Sequence, residues 1–241
     1  MRTNKTRDIG SLLSYFPKSI HNTQPQNVMQ NRTVIDRRHL WNIFEKTFYK
    51  IHGKKLKQNP DAINNLKVLF YYFLQEDEFF KCENLRNDIS KPSFQKGLLI
   101  IGGFGLGKTD YFKVFEIIFQ RINHLRFKYY TSKKLVTDYE KCQTPFDKDS
   151  LFRDAERKLM FIDDINSERE ASNYGKVDVI EEILYRRYDN RLKTYTTCNY
   201  TTRDNCAKQT LEDLGKRYGG RIYDRFFEMF NIIEFKGTSF R

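Results

Sequence analysis

The sequence has no apolar run approaching the roughly 18 residues needed to cross a bilayer as a helix, so a membrane span is not expected. Its opening stretch, MRTNKTRDIGSLLSYF, holds only a short apolar segment broken by polar residues, which does not fit a secretory signal. Cysteine is scarce. Cys82, Cys142, Cys198 and Cys206 are widely spaced, with neither a disulfide pattern nor a zinc pattern, and suit a reducing, cytoplasmic setting. Acidic residues are in deficit: 31 Asp and Glu stand against 43 Lys and Arg, a net charge of +12. That balance disfavours cationic partners and favours polyanions. No internal repeat is visible. No helix-turn-helix or zinc-finger spacing supports the reading of DNA bases, so any DNA contact is expected to be sequence-independent.

What is present is enough for a core. With 241 residues, 39% of them hydrophobic and 15% aromatic, the chain fits one substantial domain with a small appendage. The charge is uneven. Residues 1–60 carry 12 Lys and Arg and three acids (Asp8, Asp36, Glu45), a net +9. This first quarter is the expected basic extension, partly disordered and partner-binding; residues 61–241 form the expected second domain. Residues 19–35 are polar, rich in Asn and Gln, and read as a linker. A helix is predicted over 37–51, with Trp41, Phe44, Phe48 and Ile51 as its apolar stripe, and another over 61–75 around Ile63, Leu66, Leu69, Phe70 and Phe73. They pack either on the main domain or on a partner, the first being the ordinary role of such aromatics.

From Lys96 the pattern changes. Gly97–Ile101 is a short apolar run ending in glycines, the form of a buried parallel strand. Leu159–Ile162 is a second such run, and strands are also predicted at Phe127–Thr131, Leu192–Thr197 and Ile232–Phe235. Helices are predicted at 108–122, 132–141, 176–188 and 210–217. This alternation implies an α/β fold, a parallel sheet flanked by helices.

Gly102-Gly103-Phe104-Gly105-Leu106-Gly107-Lys108-Thr109 satisfies G-x-x-x-x-G-K-[ST] and lies between a predicted strand and a predicted helix. Glycines let successive backbone N–H groups point at phosphate oxygens, and the helix N-terminus adds unpaired N–H groups. Lys108 is placed to reach the β- and γ-phosphates of ATP and Thr109 to offer a hydroxyl to Mg²⁺. Phe161-Ile162-Asp163-Asp164 ends the second buried run. In a parallel sheet, ligands gather at the carboxyl ends of strands. Asp163 is therefore expected near Thr109, holding the metal, and Asp164 near the γ-phosphate, orienting or deprotonating water. Asn199, closing Thr196-Thr197-Cys198, is expected to sense the γ-phosphate or the water. Arg217, Arg221 and Arg225 recur every four residues, with Gly219-Gly220 interrupting the helix. Arg221 and Arg225 share a face of a predicted helix Arg221–Phe230. Either they pair with acids such as Asp224 or Glu228, or one reaches the γ-phosphate of a neighbouring subunit.

The ordered set GGFGLGKT, FIDD, TTCN and RYGGRIYDRF resembles the AAA+ ATPase domain of DnaC-like helicase loaders and of the related IstB transposition helpers. FIDDIN with Glu168, and IEEILYRRY at 180–188, extend the resemblance over residues 60–241. It implies a P-loop NTPase of AAA+ type and assigns Lys108, Asp164 and Asn199 to catalysis, Asp163 and Thr109 to the metal, and Arg221, with Arg225 as alternative, to the arginine finger. It implies a slow Mg²⁺-dependent ATPase, an ATP-dependent homo-oligomer, and contacts with a replicative DNA helicase and single-stranded DNA. The rival is an IstB-like helper on double-stranded DNA with a transposase. Only six residues follow the last predicted strand, so no C-terminal helical lid is expected. For DNA, Lys133, Lys134, Arg153, Arg157 and Lys158 are candidates. Tyr129 and Tyr130 could stack on bases, although sheet packing is the ordinary role of tyrosines inside a strand.

Overall fold

Seven strands and eight α-helices alternate in the computed structural model, which describes residues 35–239. The basic segment before residue 35 and nearly all of the predicted linker lie outside the described residues. Helix α1 (Arg37–His52) is capped by the Asp36 side chain, which accepts from the His39 N–H at 3.1 Å, and ends at Gly53 in the left-handed conformation. Its buried stripe is Leu40, Phe44 and Phe48. Trp41 is half-buried and Ile51 is exposed, so the buried stripe starts one residue before the predicted one and stops at Phe48. Helix α2 (Pro60–Leu74) starts under an Asn59 cap with Pro at its first position.

Strand β1 (Gly97–Gly102) leads into α3 (Lys108–Phe119). Next come β2 (Lys128–Thr131), α4 (Ser132–Glu140), α5 (Pro145–Ala155) and β3 (Leu159–Asp163). A small antiparallel hairpin of β4 (Ala171–Ser172) and β5 (Lys176–Val177) precedes α6 (Val179–Asp189). The chain closes with β6 (Lys193–Cys198), α7 (Ala207–Tyr218), α8 (Gly220–Met229) and β7 (Phe230–Phe235). The five long strands form one sheet in the order β2-β3-β6-β1-β7, with all pairings parallel. The α/β expectation holds, and the arrangement is consistent with a AAA+ P-loop NTPase.

Alternate residues of β1 serve two cores. Leu98 and Ile100 face a cluster with α1, α2 and α3, while Leu99 and Ile101 face a cluster with α4 to α8. Gly97 begins β1 because a Cβ there would lie 1.7 Å from the Thr194 carbonyl oxygen. The first cluster is dense in aromatics: Phe112 stacks on Phe161 at 4.2 Å, and Phe44 lies 4.9 Å from Phe115 and 6.0 Å from Tyr111. The α1 aromatics therefore pack on the main domain, next to the helix that follows the glycine loop. Each such buried side chain contributes about 1.5–3 kcal/mol as an upper estimate.

Two elements differ from expectation. Helix α5 escapes a periodicity search because it buries only Phe152 and Ala155, and a Thr144–Asp147 capping box and Pro145 define its start. The helix predicted from 176 begins at Val179, after the hairpin, where Asp178 caps it. Arg187 is fully buried on α6. Its guanidinium donates to the carbonyls of Ala155, Arg157 and Lys193 and to Thr194 Oγ1 at 2.6–2.8 Å. Burial lowers its pKa to about 10, and the four oxygens fix α6 against the start of β3 and β6. Among the described residues, no helix is long and apolar enough to cross a membrane.

Candidate functional site

Three strand ends meet beside one glycine loop. The loop between β1 and α3 turns on Gly105 (φ 75°) and Gly107 (φ 82°), a region closed to most side chains. At Gly107 a Cβ would also lie 2.8 Å from the Tyr111 ring, so this glycine is required twice over. Lys108, first in α3, is buried and folds back: its ammonium donates to the carbonyls of Gly102 at 2.5 Å and Gly103 at 2.7 Å and to Asn199 Oδ1 at 2.9 Å.

Thr109 Oγ1 lies 2.8 and 3.0 Å from the two oxygens of Asp163. The buried Asp163 carboxylate also accepts from Thr197 Oγ1 at 2.6 Å and from the Tyr129 hydroxyl at 2.8 Å. Burial, then the Asp163 charge, pushes the Tyr129 hydroxyl well above its ordinary pKa, so it remains a donor. The separation of Thr109 and Asp163 oxygens fits Mg²⁺: adjacent ligands of an octahedron with bonds of about 2.0–2.1 Å stand ~2.9 Å apart. Asp164 has φ 57°. Its N–H donates to Thr197 Oγ1 at 2.9 Å, its carbonyl accepts from Ser132 Oγ at 2.8 Å, and its carboxylate accepts from Asn199 Nδ2 at 2.6 Å. Asn199 thus touches both Lys108 and Asp164.

The glycine loop from Phe104 onward, Lys108, Thr109, Asp163, Asp164 and Asn199 all line one cavity of about 590 Å³. The structure brings these sequence-predicted residues together. It adds others that the sequence reading did not connect with the site. Lys54, Lys55 and Lys57, on the turn between α1 and α2, form part of the wall, and Tyr129 and Thr197 orient Asp163. The cue for Lys54–Lys57 was present as positive charge in residues 1–60, but the turn's position over the glycine loop depends on packing between α1 and α3.

Arg221 and Arg225 do not line this cavity. The helix breaks at Gly219 (φ 85°) and restarts as α8. Arg221 is exposed and, among the described residues, makes no hydrogen bond or ion pair. Arg225 is sandwiched, 4.3 Å from the rings of both Tyr185 and Tyr188, and pairs with Asp189 at 3.6 Å rather than with Asp224 or Glu228. Arg217 pairs with the buried Glu168 at 2.7 Å, and the Tyr218 hydroxyl donates to the same carboxylate at 2.7 Å.

Several of the residues named as DNA candidates are engaged within the fold. Tyr129 and Tyr130 are tied down in the sheet, Tyr130 by a hydrogen bond to Asp154. Lys134 pairs with Asp138, Arg153 with Asp149, and Arg157 with Asp154. Exposed aromatics lie elsewhere, among them Phe146 at the start of α5 and Phe104 in the glycine loop, each 71% exposed, and Tyr174 at the hairpin tip, 99% exposed. The Arg153 guanidinium lies 5.5 Å from the Phe146 ring centre, and Lys148 lies 5.9 Å from that of Tyr174.

The fold is of the α/β class, a parallel sheet flanked by helices, and is consistent with a AAA+ P-loop NTPase. The chain is similar to two solved structures. One is the DnaC helicase loader, at 21% identity and a TM-score of 0.52, covering 79% of this chain and 99% of that one. The other is a candidate primosome component from Streptococcus pyogenes serotype M3, at 17% identity and a TM-score of 0.50, covering 81% and 91%. At these identities the likeness concerns the fold. No family model and no curated protein matches the chain.

Proposed function

We propose that the protein is a Mg²⁺-dependent ATPase that loads a replicative ring helicase onto single-stranded DNA. The observation that carries the ATPase reading is the pairing of Thr109 with Asp163 and of Asn199 with Asp164 beside the glycine loop. In this reading the backbone N–H groups of residues 102–109 and the Lys108 ammonium hold the triphosphate, Lys108 exchanging its loop carbonyls for phosphate oxygens. Thr109 and Asp163 hold Mg²⁺, which when bound supplies charge neutralisation at the phosphates. Asp164 takes up the proton of the attacking water, and Asn199 positions Asp164 and reports whether a γ-phosphate lies between it and Lys108. Arg221, exposed and without a partner among the described residues, acts on a neighbouring subunit of an ATP-dependent homo-oligomer. Arg225, held between two tyrosines, braces its own helix.

The loader reading is supported by the likeness to the DnaC helicase loader and by the net positive charge of residues 1–60, proposed as the partner-binding extension. Phe146 and Tyr174, flanked by Lys148 and Arg153, suit base stacking without sequence preference. A pull-down compares the full chain with a version lacking residues 1–34. A ring helicase recovered by the full chain alone supports the loader reading; recovery of a transposase replaces it with the IstB-like one. ATP hydrolysis that persists after Lys108→Ala overturns the ATPase reading.

A further inference from the structure

A second concave surface lies on α1 and α2. It is a groove of about 460 Å³, with Phe70 at its base and Trp41, Ile63 and Tyr71 on its walls. Trp41 packs on Phe70 at 5.4 Å and remains half-exposed. It is the chain's one tryptophan. A partly open Trp on an aromatic floor is the form taken by the energetically dominant anchors of protein interfaces.

The rim is cationic. Arg37, Arg38 and Lys67 line it. Arg37 is neutralised by Glu76 and Glu78, at 2.6 and 3.2 Å. Arg38 and Lys67 are exposed and, among the described residues, make no hydrogen bond or ion pair. The first turn of α1 contains Arg37, Arg38 and His39 and no acid. The Asp36 cap and the Glu76 and Glu78 pairs already offset the positive end of α1 and Arg37, which leaves Arg38 and Lys67 as the rim cations without a partner among the described residues.

We infer that this groove docks an acidic segment of a partner protein, carrying an apolar anchor that packs between Trp41 and Ile63 and carboxylates that meet Arg38 and Lys67. Charge selects this occupant over the chain's own first 34 residues. Those hold five Lys and Arg and one acid, a net +4, and would meet a rim of like sign. No residue lines both this groove and the nucleotide cavity, and the proposal stands or falls apart from the ATPase reading.

The test uses the full chain. Random 16-residue peptides displayed on phage are selected against it, and the recovered sequences are synthesised and titrated while Trp41 emission is followed. The expected result is enrichment of Asp and Glu around an aromatic or aliphatic residue, with a saturable blue shift of Trp41. Affinity should fall at least 10-fold in Arg38→Glu/Lys67→Glu, with the binding of a fluorescent ATP analogue unchanged in the same variant. Because both rim side chains are exposed, this variant avoids the folding risk of Trp41→Ala. Selected peptides without an acidic bias, or binding that survives the double substitution, would overturn the inference. So would displacement of the peptide by a single-stranded oligonucleotide, which would make the groove a nucleic-acid site.

Discussion

Asn199 donates to Asp164 at 2.6 Å and so fixes the carboxylate next in sequence to the one that Thr109 touches. The bond joins the end of β6 to the end of β3, and its geometry depends on the left-handed backbone of Asp164. If Asn199 positions Asp164 toward water, Asn199→Ala should lower kcat for ATP hydrolysis about 10²-fold and leave nucleotide affinity within a few-fold. Steady-state kinetics with a fluorescent-nucleotide titration measures both. An equal loss in affinity and rate would assign Asn199 to ground-state binding instead.

Tyr129 is the least anticipated member of the site. Its hydroxyl is one of three that hold Asp163, and it enters from β2, far in sequence from the glycine loop. Tyr129→Phe deletes one donor to a buried carboxylate and nothing else. We expect a stability loss of about 1–2 kcal/mol and a several-fold rise in the Mg²⁺ concentration needed for half-maximal activity. Urea unfolding and a Mg²⁺ titration read the two effects separately. An unchanged Mg²⁺ requirement would confine Tyr129 to a structural role.

Phe146 and Tyr174 are large, exposed and beside cations. Tyr174→Ala should weaken binding to a single-stranded oligonucleotide about 10-fold, which corresponds to one stacked base. The slope of affinity against salt should stay the same, because no cation is removed. Lys148→Ala should instead reduce that slope. Fluorescence anisotropy at several salt concentrations distinguishes the two. A Tyr174→Ala variant that binds normally would remove the hairpin from the DNA surface.

The glycine loop, the acidic pair and Asn199 were legible in the sequence because each ends a predicted strand, and the parallel sheet brings such ends together. The strands were legible for the same reason, since β1 and β3 are buried on both faces. Elements defined by capping were harder to see. Helix α5 depends on Thr144, Pro145 and Asp147 rather than on an apolar stripe, and the β4–β5 hairpin has two-residue strands. Side chains acting across the fold were harder still. Nothing local distinguishes Tyr129, bonded to Asp163, from Tyr130, bonded to Asp154. The separate environments of Arg221 and Arg225, one turn apart on α8, likewise arise from Tyr185 and Tyr188 on another helix.

Those environments give opposite expectations. Arg221 has no partner to lose among the described residues, so Arg221→Ala should leave the melting temperature within about 1 °C while lowering ATPase activity 10-fold or more. Arg225→Ala removes a cation stacked on two rings and should lower stability by about 1–2 kcal/mol. Mixing Arg221→Ala with Lys108→Ala subunits offers a direct check. If Arg221 acts on its neighbour, an intact Lys108 pocket can meet an intact Arg221, and part of the activity returns. Mixtures no more active than the two variants alone would exclude action between subunits.

Asp154 supplies a pH signature away from the site. Burial opposes its ionisation, but the Tyr130 hydroxyl, Lys128 at 2.9 Å and Arg157 outweigh that and hold its carboxyl down to about 2. A pKa lower in the folded than in the unfolded chain means that the charged form stabilises the fold. That stabilisation is complete above the ordinary carboxylate pKa of about 4 and is lost as pH falls toward 2. The group is about one-third exposed, so solvent screening keeps the effect small. Asp154→Asn should therefore lower the melting temperature by roughly 1–3 °C at pH 7. The gap should persist down to about pH 5 and close between pH 4 and pH 2. Calorimetry across that range tests it, and a gap that stays constant to pH 2 would mean that the carboxylate charge contributes nothing where α5 meets β2.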